Sequence, residues 1–395
     1  MNRICLGMAV LFAAACTPKT LYRMGTYGYE LDFLQDNGVE TVELCSTDGC
    51  ARVLTVPSWQ GRVVTSAAEG LEGASFGWIN HKFIAEGKLN PQFNNWGGEE
   101  RFWLGPEGGA NSWFFAPGAE QTFPNWKVPS PFDTDAFEFT RPDSSSVCFS
   151  RDVVLDNACG IRFEIGMRRL VHLLGRHDIE EITGALPEDV SAVAYSSENT
   201  VCNNGTAAWD ECSGMPSVWM LGMINPSETT TVFIPYNPQG DGPVVKDDYF
   251  GKIPADRLSI RDGFILFKID GRLRTKLGLS ATRSLGLVGA YDPKQGLLTI
   301  LKTAVPAPGS RYVNSQWGEQ TDAFGGDALN SYNDGPTEDG TVMGPFYEIE
   351  TSSEAAALAP GESLTHCQTT LHLQGSPASL RQIIACVFGT CPFDE

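Results

Sequence analysis

The sequence predicts an all-β protein, built as one large antiparallel β-supersandwich with a short C-terminal helix. Short segments with alternating apolar residues are separated by turn signals, which is typical of sandwiches. The 395 residues include 42 glycines and 24 prolines, a turn-rich globular composition. No linker or shift in composition divides the chain, so one large β domain explains it better than two average domains.

The predicted strands follow from apolar alternation between turn residues. Residues 39–44 and 51–56 form the first hairpin. Further strands are predicted at 61–66, 136–140, 147–155, 161–174, 218–225, 229–235, 259–269, 272–279, 285–291, 297–304, 343–351 and 363–373. Helical periodicity is rare. The clearest helix is at the tail, where Ser376 and Pro377 precede an apolar stripe over 379–386.

The N-terminus has the plan of a secretory signal peptide. One arginine precedes an apolar run from Ile4 to Ala15, which is too short to span a bilayer permanently. The run ends in three alanines and Cys16, and this resembles the bacterial lipobox, in which the cysteine is lipidated. We therefore expect export with a lipid anchor at Cys16, and export alone is the alternative.

The domain boundaries follow from the two ends of the chain. The prediction is a signal peptide at 1–15, a lipidated N-terminus and linker at 16–35, a single β-supersandwich domain at 36–375, and a helical extension at 376–395. The expected location is the outer membrane, facing the periplasm or the cell surface.

The balance of charges disfavours some classes of partner. The chain has 28 basic and 48 acidic residues, so its net charge of −20 disfavours nucleic acid and anionic lipid surfaces. Membrane contact is expected through the lipid anchor alone. We expect a monomer.

The cysteines suit an oxidising compartment, where neighbouring thiols persist as disulfides. Cys45 and Cys50 flank a four-residue turn and would face each other across the first hairpin. The other expected disulfide cysteines are Cys202, Cys212, Cys386 and Cys391. Their connectivity does not follow from the sequence.

Five stretches carry polar and aromatic residues that a scaffold would not need. They are 57–66, 94–109, 197–200 with Trp209, 246–257, and 330–336 with the following 344–351. The stretch at 94–109, NNWGGEERFWLGPEGG, is the densest in glycine, tryptophan and charge. Turns this rich in functional groups indicate a small-molecule site.

These stretches carry a resemblance to a known family. SWQGRVVTS, GGEERFWLGPEGG, WMLGMINPS, DDYFGKIPADRL, NSYNDGP, GPFYEIE and ALAPGESLTH resemble an uncharacterised family of bacterial lipoproteins. That family is placed near the galactose-mutarotase-like supersandwich enzymes and carbohydrate-binding proteins. The likeness covers nearly the whole mature chain, and it implies the fold and a saccharide ligand without a settled activity.

The likeness to the aldose 1-epimerases of that fold is thinner. Residues 94–98 are similar to their asparagine-rich approach to His-Gly-Gly, but Trp96 stands in place of the sugar-binding histidine. Glu348 and Glu350 precede a Pro-Gly-Glu turn, as the base glutamate does in those enzymes. Their general-acid histidine has no counterpart in this chain.

The catalytic candidates are Glu350, Glu348 and Tyr249. The two glutamates are two positions apart on a predicted strand, so their side chains face the same way. A carboxylate with a raised pKa there could act as a base at a sugar hydroxyl, with Tyr249 or a histidine as the acid. The alternative is that one glutamate pairs with an arginine and only orders the sheet.

The expected substrate-binding residues combine carboxylates, arginines and aromatic rings. They are Arg62, Trp96, Glu99, Arg101, Trp103, Glu107, Asp248, Asn333 and Asp334. Exposed indoles can stack on a pyranose, although buried tryptophans are commoner. No cofactor is expected, with calcium as the alternative, because the spacing of Asn333 and Asp334 is not that of a calcium loop.

The sequence therefore predicts an exported lipoprotein with a carbohydrate-binding cleft. It would act on saccharides by epimerase-like or by lyase- or hydrolase-like acid–base chemistry. The alternatives are a non-catalytic glycan-binding lipoprotein and a structural or partner-binding surface lipoprotein.

Overall fold

The computed structural model describes residues 21–337 and 340–393. It confirms the predicted class, because the chain is mostly antiparallel strand with a short C-terminal helix. The predicted signal peptide and Cys16 lie outside the described residues. Within the described part, no helix is long and apolar enough to cross a bilayer.

The strands and helices have the following bounds. The strands are β1 (Val42–Cys45), β2 (Arg52–Val56), β3 (Arg62–Ala67), β4 (Arg101–Gly105), β5 (Glu138–Thr140), β6 (Ser146–Asp156), β7 (Arg162–Leu173), β8 (Ser191–Asn203), β9 (Ser217–Ile224), β10 (Thr231–Pro235), β11 (Leu258–Arg261), β12 (Phe264–Lys268), β13 (Thr275–Ser280), β14 (Leu287–Asp292), β15 (Leu297–Thr303), β16 (Asp327–Asn333), β17 (Tyr347–Ser352) and β18 (Ser363–Gln374). The helices are α1 (Tyr27–Asp36), α2 (His81–Glu86), α3 (Ser130–Asp133), α4 (Arg176–Thr183) and α5 (Pro377–Phe388).

Two large sheets form the sandwich. The ten-stranded sheet has the order β11-β12-β10-β14-β15-β18-β8-β7-β6-β5, and the five-stranded sheet has the order β13-β16-β17-β9-β4. Buried residues from both, such as Ile349 of β17 and Val288 of β14, belong to one core. We call the facing sides of the two sheets inner and the opposite sides outer.

Helices pack on the outer side of the ten-stranded sheet and on the small three-stranded sheet. On the outer side of the ten-stranded sheet, α5 buries Leu380, Ile383 and Ile384 against residues of β15 and β18. The small sheet β1-β2-β3 packs with α1 and α2 around a separate apolar cluster. Helix α1 lies where a linker was predicted, and it is held there because Tyr27 and Leu34 are fully buried.

Three strands were not predicted, because apolar and polar residues do not alternate regularly along them. The central strand β8 contains 197–200, and β4 and β16 contain parts of the stretches at 94–109 and 330–336. The predicted strand at 259–269 is instead a hairpin of β11 and β12. Asp262 and Gly263 turn the chain there with φ values of 51° and 82°.

The predicted disulfides are absent, because all nine cysteines in the described residues are free thiols. Cys45 pairs with Arg52 across the first hairpin, so the turn is wider than predicted and Cys50 lies inside it. Cys202 is paired with Ser363 in the ladder, and Cys212 lies in a separate turn. Cys386 is in the last turn of α5, whereas Cys391 follows that helix and its thiol contacts the Phe393 carbonyl.

Candidate functional site

A cluster of charged side chains lies on the outer side of the five-stranded sheet. Paired positions of a sheet share a face, and Glu350 pairs with Leu221, which pairs in turn with Arg101. Glu348 shares that face because it is two residues from Glu350. We define the outer cluster as Arg101, Glu107, Lys276, Glu348 and Glu350.

Arg101 and Glu348 form a buried ion pair across the sheet. Arg101 Nη2 donates to Glu348 Oε1, and the guanidinium carbon lies 4.8 Å from the centroid of the Trp103 ring. Burial raises the pKa of Glu348 to about 7, although Arg101 lowers it. Arg101 Nε has no hydrogen-bond partner among the described residues, so this pair leaves a donor unused.

One carboxylate oxygen of Glu350 has hydrogen-bond partners and the other has none among the described residues. Its Oε2 accepts from Trp219 Nε1 and from Lys276 Nζ, both at 2.9 Å. Its Oε1 is buried and has no hydrogen-bond partner in the described part of the chain. The half-buried Lys276 also lies 5.4 Å from the Trp219 ring centroid. The carboxylate is therefore oriented with one acceptor oxygen unused.

Glu107, like Lys276, is a half-buried member of the outer cluster. Burial raises the pKa of its carboxyl to about 7, the charge of Lys276 lowers it, and Glu350 raises it. The indoles of Trp126 and Trp317 adjoin the same carboxyl and also lower its pKa. A carboxyl of this kind exchanges protons near neutral pH.

Tyr249 contacts the far side of Lys276. Its hydroxyl donates to Asp327 Oδ2, and the amide of Asn330 donates to the same oxygen at 3.1 Å. Burial raises the pKa of Tyr249 well above its ordinary value, so the phenol stays protonated. Lys276 Nζ lies 5.5 Å from the Tyr249 ring centroid. Tyr249 therefore lines the site, and its hydroxyl proton is used in the hydrogen bond to Asp327.

A second set of charges lies between the two sheets. We define the inner cluster as Glu99, Glu100, Arg169, Tyr195 and His372. Arg169 of β7 donates to Glu100 Oε1, and Gln368 Nε2 donates to Glu100 Oε2 at 2.7 Å. All five members are at most 3% exposed. The Glu100 carboxylate therefore ties β4 to the opposite sheet.

Glu99 and His372 are both held neutral in this interior. Burial raises the pKa of Glu99 to about 8 and lowers the pKa of His372 to about 3. Glu99 Oε2 and His372 Nε2 are 3.6 Å apart, and His372 Nδ1 shares a 2.8 Å hydrogen bond with Thr299. Neither histidine of β18 reaches the outer cluster, because His366 also points inward, to Thr351.

The GGEER segment explains how one stretch supplies both clusters. Gly97 and Gly98 have φ values of 88° and 110°, which only glycine adopts readily. A Cβ on Gly98 would lie 2.6 Å from the Arg62 side chain. Through this tight passage the chain turns both Glu99 and the next residue inward, and alternation then places Arg101 outward.

Several predicted site residues lie apart from the outer cluster. Arg62 is buried, donates to the Gly97 carbonyl at 2.7 Å, and lies 5.6 Å from the Trp96 ring centroid. Trp96 itself stacks on Trp59 at 4.7 Å. These side chains pack under the three-stranded sheet, and Glu99 belongs to the inner cluster, so these three predicted substrate residues lie apart from the outer cluster.

Of the other predicted residues, one lies beneath the site and the rest hold the backbone or lie on a loop. Trp103 lies on the floor of the site, with its indole N–H bonded to the Phe132 carbonyl at 2.9 Å. Asn333 holds the backbone of Gly271 and Leu273. Asp334 accepts from Tyr332 and Gly344, and Asp248 is exposed on a loop. The fold brings together the following predicted residues: Glu107, Arg101, Glu348, Glu350 and Tyr249.

Sequence reasoning missed Lys276, Trp219 and Asp327. Lys276 is the charged residue of β13 and shares a face with Glu350, but Arg272 and Arg274 precede it in the predicted strand, so nothing in the sequence set it apart. Asp327 begins an unpredicted strand and carried no signal of its own.

The described residues contain no group of three or more His, Cys, Asp or Glu side chains placed to hold a metal ion. The oxygens of Asn333 and Asp334, which the calcium alternative would use, are engaged with backbone amides and with Tyr332.

Comparison with known proteins gives a family and a fold. A model described as "Family of unknown function (DUF6786)" matches residues 25–391, and no functionally curated protein matches the sequence. The Slr1438 protein from Synechocystis sp. PCC 6803 is similar in structure with a TM-score of 0.51 and 13% identity, over 86% of this chain and 96% of that chain. At this identity the likeness shows the fold alone.

Two further structures are similar at a lower level. A galactose mutarotase-like protein from Lactobacillus casei ATCC 334 has a TM-score of 0.45 and 12% identity, over 85% of this chain and 99% of that chain. A galactose mutarotase related enzyme from Lactobacillus acidophilus has a TM-score of 0.45 and 11% identity, over 85% of this chain and 98% of that chain.

Proposed function

The chain belongs to this family of unknown function, DUF6786, and we propose that it binds a saccharide over the outer cluster and transfers protons at that sugar. The observation that carries the proposal is the pairing of an oriented carboxylate with a second carboxyl that titrates near neutrality. Glu350 offers a buried, unpartnered Oε1, and the pKa of Glu107 is about 7. Lys276 is paired with Glu350 at 2.9 Å, and its charge also acts on Glu107.

The proposed chemistry is exchange of sugar anomers by acid–base catalysis. Glu350 Oε1 accepts the proton of the anomeric hydroxyl while Glu107 gives its proton to the ring oxygen, and the bond between that oxygen and the anomeric carbon breaks. The open-chain aldehyde then closes on its other face: the hydroxyl formed from the ring oxygen attacks the carbonyl carbon and returns its proton to Glu107, while Glu350 returns the proton it holds to the new anomeric oxygen. Arg101 and Glu348 form the polar floor beneath the sugar.

The test is binding to a glycan panel followed by proton NMR of anomer exchange. We expect Glu350→Gln to keep saccharide binding within a few fold and to slow exchange by about a hundredfold or more. Unaltered exchange in Glu350→Gln would remove the assignment of the base. Absence of binding to every saccharide tested would remove the proposal itself.

A second candidate is glycan binding without chemistry. Its support is that each strand carboxylate has a cation in contact, Arg101 on Glu348 and Lys276 on Glu350, which stabilises the ionised form. Saccharide binding with no exchange or cleavage in the wild-type protein is the outcome that selects this candidate.

We also propose export and a lipid anchor. The support is the apolar run before Cys16 and the net charge of −20, which gives the folded part no attraction of its own to anionic lipid. Membrane fractionation should find the protein with the outer membrane, and Cys16→Ala should release it into a soluble fraction. A Cys16→Ala protein that stays bound to the membrane would contradict lipidation at this residue.

A further inference from the structure

Two exposed aromatic rings adjoin the outer cluster from different sides. Trp317 is 36% exposed and Phe250 is 44% exposed. Neither ring contributes to the acid–base chemistry proposed for Glu350 and Glu107. Large rings at the mouth of a polar site are suited to stacking on a ligand, because they offer apolar area without a desolvation cost.

Trp317 lies above the β9–β4 side of the five-stranded sheet. Trp126 stacks against it with 6.5 Å between centroids and 22° between planes. Trp126 stacks in turn on Phe114, which contacts Trp219 of β9. Trp317 also adjoins the Glu107 carboxyl. Phe115 also meets Trp317 edge-on at 5.1 Å, so the indole is held beside the outer cluster by two rings while part of it stays exposed.

Phe250 lies above the opposite side of the sheet, over β13 and β16. The guanidinium carbon of Arg274 is 3.9 Å from its ring centroid, and Tyr332 of β16 packs edge-on at 5.9 Å. Phe250 directly follows Tyr249, which contacts Lys276 of the outer cluster. This ring too is held on one face by a fixed side chain.

The two rings are held over different strands of the sheet. Phe250 contacts β16, whereas Trp317 reaches β9 through Trp126 and Phe114, and these two strands are two strand spacings apart, about 10 Å. Glu350 is on β17, the strand between them. We propose that the site takes an oligosaccharide, with sugar units stacked on Trp317 and on Phe250 at either side of the unit held over Glu350.

The inference rests on the proposed function, because it places further units around the sugar bound there. It also assigns roles that the acid–base proposal does not need. A site for one sugar would require the outer cluster alone, whereas a site for a chain requires apolar platforms on both sides of it.

Calorimetric titration of the purified protein tests the inference. The probes are glucose and galactose, and cello-, malto- and galacto-oligosaccharides. We expect an oligosaccharide to bind at least about tenfold more tightly than its monosaccharide. Trp317→Ala and Phe250→Ala should each lower oligosaccharide affinity about tenfold, which corresponds to about 1.4 kcal/mol.

Phe139→Ala is the matched control, because Phe139 is 38% exposed on β5, at the edge of the other large sheet. It should leave every affinity unchanged, and near-ultraviolet circular dichroism should show all three variants folded. Equal affinity for monosaccharide and oligosaccharide, or ring variants that behave like the control, would overturn the inference and leave the proposed function standing. Failure of every saccharide to bind would overturn both.

Discussion

The inner and outer clusters lie on opposite sides of one five-stranded sheet, and they differ in their access to water. Every member of the inner cluster is sealed between the two large sheets. The outer cluster has a buried floor, Arg101 and Glu350, and a half-buried rim that includes Glu107 and Lys276. The same residue types therefore serve as cross-links in one place and remain reachable in the other.

The comparison teaches that burial of charge alone does not identify a functional site. Glu99 and Glu107 both have a raised pKa from burial, at about 8 and about 7. Only Glu107 lies where a solute can reach it. A perturbed carboxyl becomes a candidate for chemistry when it also borders an opening.

The largest effect on stability is expected from breaking the ion pair between Arg169 and Glu100 in the inner cluster. Arg169→Met should lower the free energy of unfolding by roughly 3–5 kcal/mol, because it leaves the Glu100 carboxylate buried without a cation. Urea denaturation measures the change. Arg176→Met is the control, since Arg176 pairs with Glu180 at an exposed helix surface and should cost less than about 1 kcal/mol. Equal losses in the two variants would contradict the cross-linking role.

The second largest effect is a dependence of the protein's stability on pH, which arises from Glu99. Its folded-state pKa of about 8 lies above the ordinary value of 4.5, so the folded protein retains a proton that the unfolded chain loses. Stability should therefore fall as pH rises from about 5 to about 8. Glu99→Gln should remove roughly 3 kcal/mol of this fall.

Urea denaturation at several pH values tests this prediction. The exposed Glu40→Gln variant is the control, and its stability should follow the wild-type pH curve. A Glu99→Gln curve parallel to that of the wild type would show that Glu99 ionises without cost.

A smaller effect is expected at the outer cluster, from the charge of Lys276. Its positive charge lowers the pKa of Glu107, so Lys276→Met should raise that pKa by about one unit. If Glu107 is the acid in anomer exchange, the alkaline limb of the pH–rate profile moves to higher pH by the same amount. A limb that stays in place would exclude Glu107 as the acid.

The smallest effect contrasts the two clusters directly. Glu350→Gln should lower the free energy of unfolding by no more than about 1 kcal/mol, because the glutamine amide oxygen can still accept from Trp219 and Lys276 at the same place. A loss comparable to that of Arg169→Met would mean that the outer cluster is structural as well.

The sequence predicted the fold and one side of the site better than it predicted the site as a whole. Alternation correctly placed Glu348 and Glu350 on one face, since the period of a strand is two. It could not show which way Glu99 turns, because the positive φ values of Gly97 and Gly98 break the period just before it. Lys276 was missed because its partner is distant in sequence, and only sheet order brings the two together.

The short GGEER segment also constrains how this protein can change in length. The segment between β4 and β5 is packed against the sheet over much of its length, but its residues 116–118 are exposed and can accept added residues. One residue added between Gly98 and Arg101 would shift the alternation and point the guanidinium into the core, away from Glu348. We therefore expect an insertion to be tolerated at that exposed bend and rejected at the GGEER turn.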